Sequence, residues 1–308
     1  MKHFALQPLL FLVFALSTQP PAQADPVELI AEISHPPLTE VSGIARSSHP
    51  GVFWVHNDSG NAAHLFPIHL DGNPVIPPFV ADDYVEEPWP GLPIVNAWNV
   101  DWEDIAVADG QIYIADMGNN GNARRDLGVY VVAEPNPLGV ELSRALRFIP
   151  VAYPDQRGHP GEHWHFDCEA MFAADGKLFF LTKHRKRGQI SGWERGTKLY
   201  RLDTRRQGED NPLTLVTTRH DIWVPTAADI SPDGDRLAVL TYRALWIFER
   251  PAEGDNWLAG KAARLDLDRA RMGINEAVTW RDDQTLIIAN EERKLFSVDA
   301  AKVPVVDP

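Results

Sequence analysis

Asp101-Trp-Glu-Asp-Ile105, followed by the pair Asp109-Gly110 and the run Ile112-Tyr-Ile114, decides the fold, because its pattern returns along the chain. In each return, a short segment precedes a turn signal and an apolar run of high β-propensity. An Asp-Gly pair between two such runs is typical of a β-hairpin. The matching segments are Glu40-Val-Ser-Gly-Ile44, Asp167-Cys-Glu-Ala-Met171, Thr226-Ala-Ala-Asp-Ile230 and Ile274-Asn-Glu-Ala-Val278. Self-similarity at a spacing of roughly 50 to 65 residues predicts a repeat fold.

Each unit continues with a third β-rich run, and all but the last have a candidate fourth strand. These fourth-strand candidates are Val75–Phe79, Ala145–Val151, Leu213–Thr217 and Ala263–Leu267. The fifth unit has none, whereas a β-rich run lies at the other end of the chain, at Val27–Ile33. A β-propeller uses such a strand to complete its last blade, which removes an open sheet edge. The sequence therefore predicts an all-β, five-bladed propeller; six blades with one decayed repeat remain an alternative.

The first 24 residues have the pattern of a secretory signal peptide. Lys2 precedes an apolar stretch from Leu9 to Leu16, and Ala22-Gln23-Ala24 supplies a small-x-small cleavage pattern before Asp25. No later stretch is apolar for 18 residues, so no membrane span is predicted. We expect residues 25–308 to form a single propeller domain that is periplasmic or secreted, and monomeric.

Composition excludes several classes of function. The 308 residues include 43 Asp and Glu against 29 Lys and Arg, a net charge of -14. A nucleic-acid partner is not expected, because such proteins need a basic surface. The single cysteine, Cys168, excludes an intrachain disulfide and a multi-cysteine zinc site. It lies between alternating acids, so we expect it to be a small buried residue.

Acidic residues recur at one end of the predicted inner strands. In a propeller, the start of the first strand and the end of the second meet at the mouth of the central channel. Positions i and i+2 of a strand point to the same side, so the second and third units each offer a carboxylate pair. Crowded carboxylates need a compensating cation, and oxygens from several strands suit calcium. The acids at these positions include Asp101, Glu103, Asp167, Glu169, Glu276 and Glu291. Alternatively, such acids accept backbone N–H groups or face a water-filled channel.

Basic and polar residues follow the second strands at the same mouth. A basic rim above an acidic centre fits an anionic ligand such as a phosphoester, although each charge could equally be a solvated loop residue. The predicted substrate contacts are Asn57, Arg124, Arg125, His184 and Tyr242. His163 and His165 with Asp167 could in principle hold zinc, but one histidine pair on a Pro- and Gly-rich loop is weak support. Several tryptophans of this face, among them Trp98 and Trp193, could stack on a flat ligand.

The stretches Asp101–Asp116, Asp167–Lys183 and Glu276–Glu292 resemble a group of secreted bacterial β-propellers related to the β-propeller phytases and to esterase-like phytase domains. His56–Gly60 and Asp229–Gly234 are also similar to a widespread group of uncharacterised secreted propellers. The resemblance implies a calcium-rich cleft that hydrolyses phosphoesters. It implies metal ligation by the six acids named above and phosphate contact by Lys183 and Arg243. Phytases of this type have six blades, and the fourth unit here has Ala228 in place of the glutamate.

Three functions follow from these patterns. The first is a cation-dependent hydrolase of phosphoesters or similar anionic esters, with Glu103, Glu169, Lys183 and Arg243 as catalytic residues. The second is a glycoside hydrolase that uses paired carboxylates. The third is a non-catalytic binding or scaffold propeller, since a fold does not fix a function. The expected partner is a small anionic molecule or a cell-envelope polymer.

Overall fold

The computed structural model of the chain describes Met1 and residues 25–306, and almost all of its regular structure is β. Within these described residues there are two α-helices, α1 (Pro78–Ala81) and α2 (Arg269–Met272), of four residues each. The all-β class predicted from the sequence is therefore confirmed. Apart from Met1, the predicted signal peptide lies outside the described residues. Within the described part of the chain, no helix is long and apolar enough to cross a membrane.

After β1 (Val27–Glu32), the strands form successive antiparallel groups in which neighbours along the chain pair. The first group is β2 (Val41–Arg46), β3 (Phe53–Asn57), β4 (His64–Ile68) and β5 (Leu92–Val95). The second is β6 (Trp102–Ala108), β7 (Gln111–Asp116), β8 (Gly128–Ala133) and β9 (Ser143–Ala152). The third is β10 (Trp164–Ala174), β11 (Lys177–Arg185), β12 (Thr197–Leu202) and β13 (Asn211–Arg219).

The remaining strands form two further groups. One contains β14 (Pro225–Ile230), β15 (Arg236–Thr241), β16 (Ala244–Glu249) and β17 (Ala262–Asp266). The other contains β18 (Asn275–Asp282), β19 (Thr285–Asn290) and β20 (Lys294–Asp299). The two-residue strand β21 (Val305–Val306) pairs with β17, and β1 pairs with β20 from Val27 opposite Val298 to Glu32 opposite Lys294. The first described strand therefore completes a four-stranded sheet with the last group.

Asp-Gly pairs make the predicted tight hairpins. Between β6 and β7, Asp109 and Gly110 have φ of 51° and 69°, and between β10 and β11, Asp175 and Gly176 have φ of 50° and 71°. Positive φ at both central residues is the requirement of a type I′ turn, whose twist matches that of the flanking strands. This backbone requirement explains why the repeat carries Asp-Gly at these positions.

One predicted strand is wrong. Val75–Phe79 does not form the fourth strand of the first group, because Pro77 and Pro78 have no N–H to donate to a ladder and α1 begins at Pro78. The fourth strand is β5, which pairs with β4 on one side and runs parallel to β9 on the other. The other fourth strands and the N-terminal strand agree with their predicted positions to within two residues at each end.

The first strands of the groups line the centre of the molecule. β2, β6, β10, β14 and β18 contact one another in that cyclic order, and β18 also contacts β2. Ser42 donates a hydrogen bond to the Glu103 carbonyl (3.0 Å), and Thr226 donates one to the Asn275 carbonyl (2.9 Å). The apolar cores lie between successive groups. This propeller-like architecture brings the starts of the inner strands to one central place.

Candidate functional site

Three carboxyl groups converge where β3 ends and β6 begins. One ligand oxygen from each of Asp58, Asp101 and Glu103 lies within 4.8 Å of those of the other two. Asp101 and Glu103 are buried, whereas Asp58 is half-buried. Asn99 holds the two segments together, since its side chain donates to the carbonyls of Asn57 (3.0 Å) and Asp58 (2.8 Å). We call Asp58, Asp101 and Glu103 the carboxylate cluster.

Gly118 borders the carboxylate cluster from the loop after β7. Its N–H donates to the Asp101 carbonyl at 3.1 Å. A Cβ at this position would lie closer than 3.0 Å to both the Glu103 and the Asp101 carboxyl oxygens, an approach that real Cβ atoms essentially never show. A residue without a side chain is therefore what leaves the space into which these two carboxyls point.

Burial and mutual repulsion raise the pKa values of the cluster. The pKa of Asp101 is raised to about 7, chiefly by burial and then by the charges of Asp167 and Asp58. The pKa of Glu103 is raised well above its ordinary value by burial and by the charges of Glu169 and Asp101. Oxygen ligands around a space kept clear by Gly118 fit a hard cation such as calcium, which would replace the protons these groups otherwise retain.

Two predicted ligands have cationic partners instead. Asp167 accepts hydrogen bonds from Arg185 and from the backbone N–H of Asn119 (2.6 Å). Glu169 accepts from Lys183 and also lies 3.3 Å from an Arg185 nitrogen. Both cations are buried on β11. In the third group, Lys183 and Arg185 therefore neutralise the carboxylate pair. The pair of the second group, Asp101 and Glu103, instead lies beside a third acid, Asp58.

Lys183 joins this ion-paired group to further acids. Its ammonium donates to the Tyr242 hydroxyl at 3.2 Å and lies 4.8 Å from the centre of that ring. Burial raises the pKa of Glu276 to about 7, against the opposing effect of Lys183. The pKa of Glu291 is raised by burial and then by the charge of Asp58. The acidic region thus includes Glu291, which interacts with Asp58 of the carboxylate cluster, and Glu276, which interacts with Lys183.

The predicted polar contacts are used in different ways. Asn57 braces a loop: its side chain accepts from the N–H groups of Thr39 (2.9 Å) and Glu40 (3.2 Å) and donates to the Pro37 carbonyl (2.8 Å). Arg124 pairs with Asp116 at 3.0 Å and donates to the Gly118 carbonyl at 2.9 Å. These two side chains shape the loops around the carboxylate cluster.

The remaining predicted contacts lie apart from the cluster. Arg125 and Arg243 are exposed and line separate cavities. His184 is buried and stacked on His165 with ring centres 3.9 Å apart, and burial lowers its pKa to about 3. His165 also bonds to Glu194 at 2.8 Å. Among the described residues, ligand-type groups come together in threes only at the carboxylate cluster, so the histidine pair is not part of such a set.

A second class of acid satisfies the backbone of inner strands. Asp104 accepts from the N–H groups of Ile105 (2.9 Å), Met171 (2.8 Å) and Ala228 (3.0 Å), which links β6 to β10 and β14. Asp229 accepts from the Thr279 hydroxyl (2.8 Å) and from a backbone N–H of β18. The alternative of acids that bind backbone N–H groups therefore holds for Asp104 and Asp229. Cys168 is fully buried, as expected, and burial raises its pKa.

Sequence reasoning missed three residues of this region. Asp58, which directly follows the second strand of the first group, was not predicted as a ligand. Arg185 was not singled out, although its place on β11 two residues after Lys183 puts it on the same side of that strand. Arg269 is exposed with its guanidinium 5.6 Å from the centre of the Tyr242 ring, on a connection outside the repeat pattern.

Comparison with protein-family models gave no match, and a search of curated proteins gave none. Solved structures share the shape of the chain at low identity. The PQQ-bound aldose sugar dehydrogenase of Streptomyces coelicolor has a TM-score of 0.47 at 10% identity and covers 91% of this chain and 99% of its own. The apo aldose sugar dehydrogenase of Escherichia coli gives 0.45 at 12%, covering 89% and 99%. A gluconolactonase of Xanthomonas campestris gives 0.41 at 13%, covering 86% and 72%.

These likenesses concern the fold and do not extend to activity, substrate or cofactor. None of the three structures is a phytase, so the predicted family resemblance gains no support from them. The statement that stands is the coarser one, a propeller-like all-β chain.

Proposed function

We propose that this chain is a secreted five-bladed β-propeller that binds a hard divalent cation, calcium in the first place, and hydrolyses an anionic ester such as a phosphoester. The observation that carries the proposal is the convergence of the Asp58, Asp101 and Glu103 oxygens within 4.8 Å beside a space that Gly118 keeps clear. The five antiparallel groups and the pairing of β1 with β20 support five blades with an N-terminal strand completing the last. Secretion or a periplasmic location rests on residues 1–24, and a monomer remains our expectation.

The charge around the channel mouth supports a cation. Among residues 25–306, three cationic side chains are paired with its acids: Lys183, Arg185 and Arg124. The acids are Asp58, Asp101, Glu103, Asp116, Asp167, Glu169, Glu276 and Glu291. Carboxylates in this excess must stay protonated or bind a cation.

The chain's own residues suit ester hydrolysis. A bound cation would supply Lewis-acid polarisation and a lowered pKa of water. Glu276, with its pKa near neutrality, suits proton transfer, because general acids and bases act best near the operating pH. Arg269, exposed above Tyr242, is placed to contact an anion. Lys183 is held by Glu169 and orients Tyr242.

A non-catalytic cation-binding propeller is the second candidate. Two observations favour it: Lys183 and Arg185 are paired with carboxylates, and Arg243 lines a separate cavity. These three cationic side chains are therefore not available to bind a phosphoryl group at the carboxylate cluster. Glycoside hydrolysis has less support. Its two carboxyl groups stand about 5–5.5 Å or 6.5–9.5 Å apart across the substrate, whereas the ligand oxygens of this cluster all lie within 4.8 Å of one another.

Calorimetry with calcium tests the proposal. The parent protein should bind Ca²⁺, and Glu103→Gln and Asp58→Asn should each weaken binding at least about tenfold, while the exposed control Glu28→Gln should not. Absence of binding by the parent would remove the cation mechanism. Hydrolysis of phosphomonoesters, phosphodiesters, glycosides and carboxyl esters should then be measured with calcium and with chelator. Calcium binding without turnover would leave the non-catalytic candidate.

A further inference from the structure

A cavity between the third and fourth groups, distinct from the carboxylate cluster, is lined by basic and aromatic side chains. Its volume is about 400 Å³, and Arg195, His220, Trp223, Arg243 and Arg264 line it. Arg195 precedes β12 and Arg243 precedes β16, so both lie in connections between the second and third strands of their groups. Asp58 and Gly118 lie in the same type of connection. The cavity therefore opens on the face that carries the channel mouth.

The cationic charge of this cavity is largely uncompensated. Its acid Asp221 is bound by Arg219, and Arg264 is paired with Asp266. Within the described part of the chain, these pairings leave Arg195 and Arg243 without a carboxylate partner. In a chain with a net charge of -14, two free guanidinium groups and a histidine on one cavity form a local site for an oxyanion.

Backbone strain holds Trp223 at the edge of the cavity. The neighbouring Ile222 and Val224 are buried, whereas Trp223 is 43% exposed. Val224 has φ of 56°, which both its branched Cβ and the following Pro225 disfavour. The backbone of Trp223 also pairs with Gly196, next to Arg195. Strained backbone persists where surrounding structure enforces it, and here it fixes an exposed indole beside two free arginines.

We propose that this cavity binds a small ring compound that carries an oxyanion, a sugar phosphate in the first place, with Arg195 and Arg243 on the oxyanion and Trp223 against the ring. Guanidinium groups match the geometry of phosphate oxygens, and an exposed indole stacks on the apolar face of a sugar. Tyr242, adjacent to Arg243, contributes no side chain to the cavity lining and instead contacts Lys183, and none of Asp58, Asp101 and Glu103 lines the cavity. This binding does not depend on the proposed cation or on hydrolysis.

The test is titration of the full chain with glucose 6-phosphate, glucose and inorganic phosphate in the presence of chelator. Glucose 6-phosphate should bind saturably and more tightly than either of the others. Arg243→Gln and Arg195→Gln should each weaken it about tenfold or more, as expected for loss of a charged hydrogen-bond donor. Trp223→Ala should abolish its advantage over inorganic phosphate.

Two controls separate this site from the rest of the protein. Arg144→Gln removes the same charge from the exposed outer strand β9 and should leave binding unchanged, as should Glu103→Gln in the carboxylate cluster. Because Arg195 and Arg243 are exposed, we expect their variants to fold, and thermal melting unchanged from the parent protein will verify this. Failure of the parent to bind glucose 6-phosphate, or equal affinities in Arg243→Gln, Arg144→Gln and the parent, would overturn the proposal. Loss of binding in Glu103→Gln would place the ligand at the channel mouth and overturn it as well.

Discussion

Gly118 offers the sharpest single-residue probe of the carboxylate cluster. In Gly118→Ala, the new Cβ would overlap the Glu103 and Asp101 carboxyls. Because these side chains are buried and cannot move freely, we expect calcium affinity to fall at least about tenfold and stability to fall by about 1–3 kcal/mol, the usual cost of overpacking. Gly121→Ala in the same loop is the matched control, since nothing lies within 4 Å of its added Cβ. Calorimetry and thermal melting of both variants test this prediction. Equal calcium affinity in Gly118→Ala and Gly121→Ala would contradict it.

Asp104 is an acid of the other class, and its replacement should affect folding. Asp104→Ala leaves three N–H groups of inner strands without their acceptor. A buried unsatisfied donor costs about 1–3 kcal/mol, so we expect a loss of about 3 kcal/mol or more in the free energy of unfolding. Asp104→Asn keeps one oxygen for the Met171 and Ala228 donors and should lose less. Urea unfolding measures both variants, and equal, small losses would contradict this role.

The sequence showed which residues are acidic and in which register, but not which of them stay unpaired. Asp101/Glu103 and Asp167/Glu169 look alike in the repeat. They differ because β11 places Lys183 and Arg185 beside the second pair, while Asp58, the residue after β3, lies beside the first. The pairing of strands within a group determines which carboxylates gain a cationic partner, and the residue pattern of a single strand does not show that pairing.

At the scale of strands, the repeat predicted positions well wherever Asp-Gly turns fixed the register. It failed after β4, where an apolar run with two prolines looked like a strand but forms α1. β5 instead follows a connection of more than twenty residues that no other group has at that place. A repeat pattern cannot indicate an insertion that belongs to one unit alone.

β1 provides a test of ring completion. Removing residues 25–32 takes away the partner of β20 along its whole length and exposes a sheet edge. We expect the melting temperature to fall by more than about 5 °C, or the protein to aggregate. Removing residues 305–308 deletes β21, which pairs with β17 at two positions only, and should lower the melting temperature by less than about 2 °C. Similar effects of the two deletions would argue against a ring completed by β1.

At the scale of the whole molecule, buried acids should make the cation-free protein lose stability as pH rises, against an opposing effect of buried histidines below about pH 6.5. Raised acid pKa values mean that the folded state holds protons which the unfolded state has released, so the stability these acids contribute is complete below about pH 4 and is lost as pH rises to their folded pKa values. For Asp101 and Glu276 this loss is complete near pH 7, whereas for Glu103 and Asp104, whose pKa values are raised well above the ordinary range, it continues to higher pH. Lowered histidine pKa values act in the opposite direction. In the unfolded state both histidines bind a proton below pH 6.5. In the folded state His56, with a pKa of about 4, and His184, with a pKa of about 3, stay neutral at that pH, so their effect is to lower stability as pH falls.

Calcium should offset the loss of stability that these acids cause as pH rises. It replaces protons at Asp101 and Glu103, so its stabilising effect should grow from pH 6 to pH 9, where each pH unit at one group corresponds to about 1.4 kcal/mol. Thermal melting from pH 5 to pH 9, with chelator and with calcium, measures both the change of stability with pH and the stabilisation by calcium. Glu103→Gln should reduce both the loss of stability with rising pH in chelator and the calcium effect, while leaving the contribution of the histidines below pH 6.5 in place. A cation-free protein whose stability rises steadily to pH 9 would show that the acids of the channel mouth are already compensated, and that no cation is needed there.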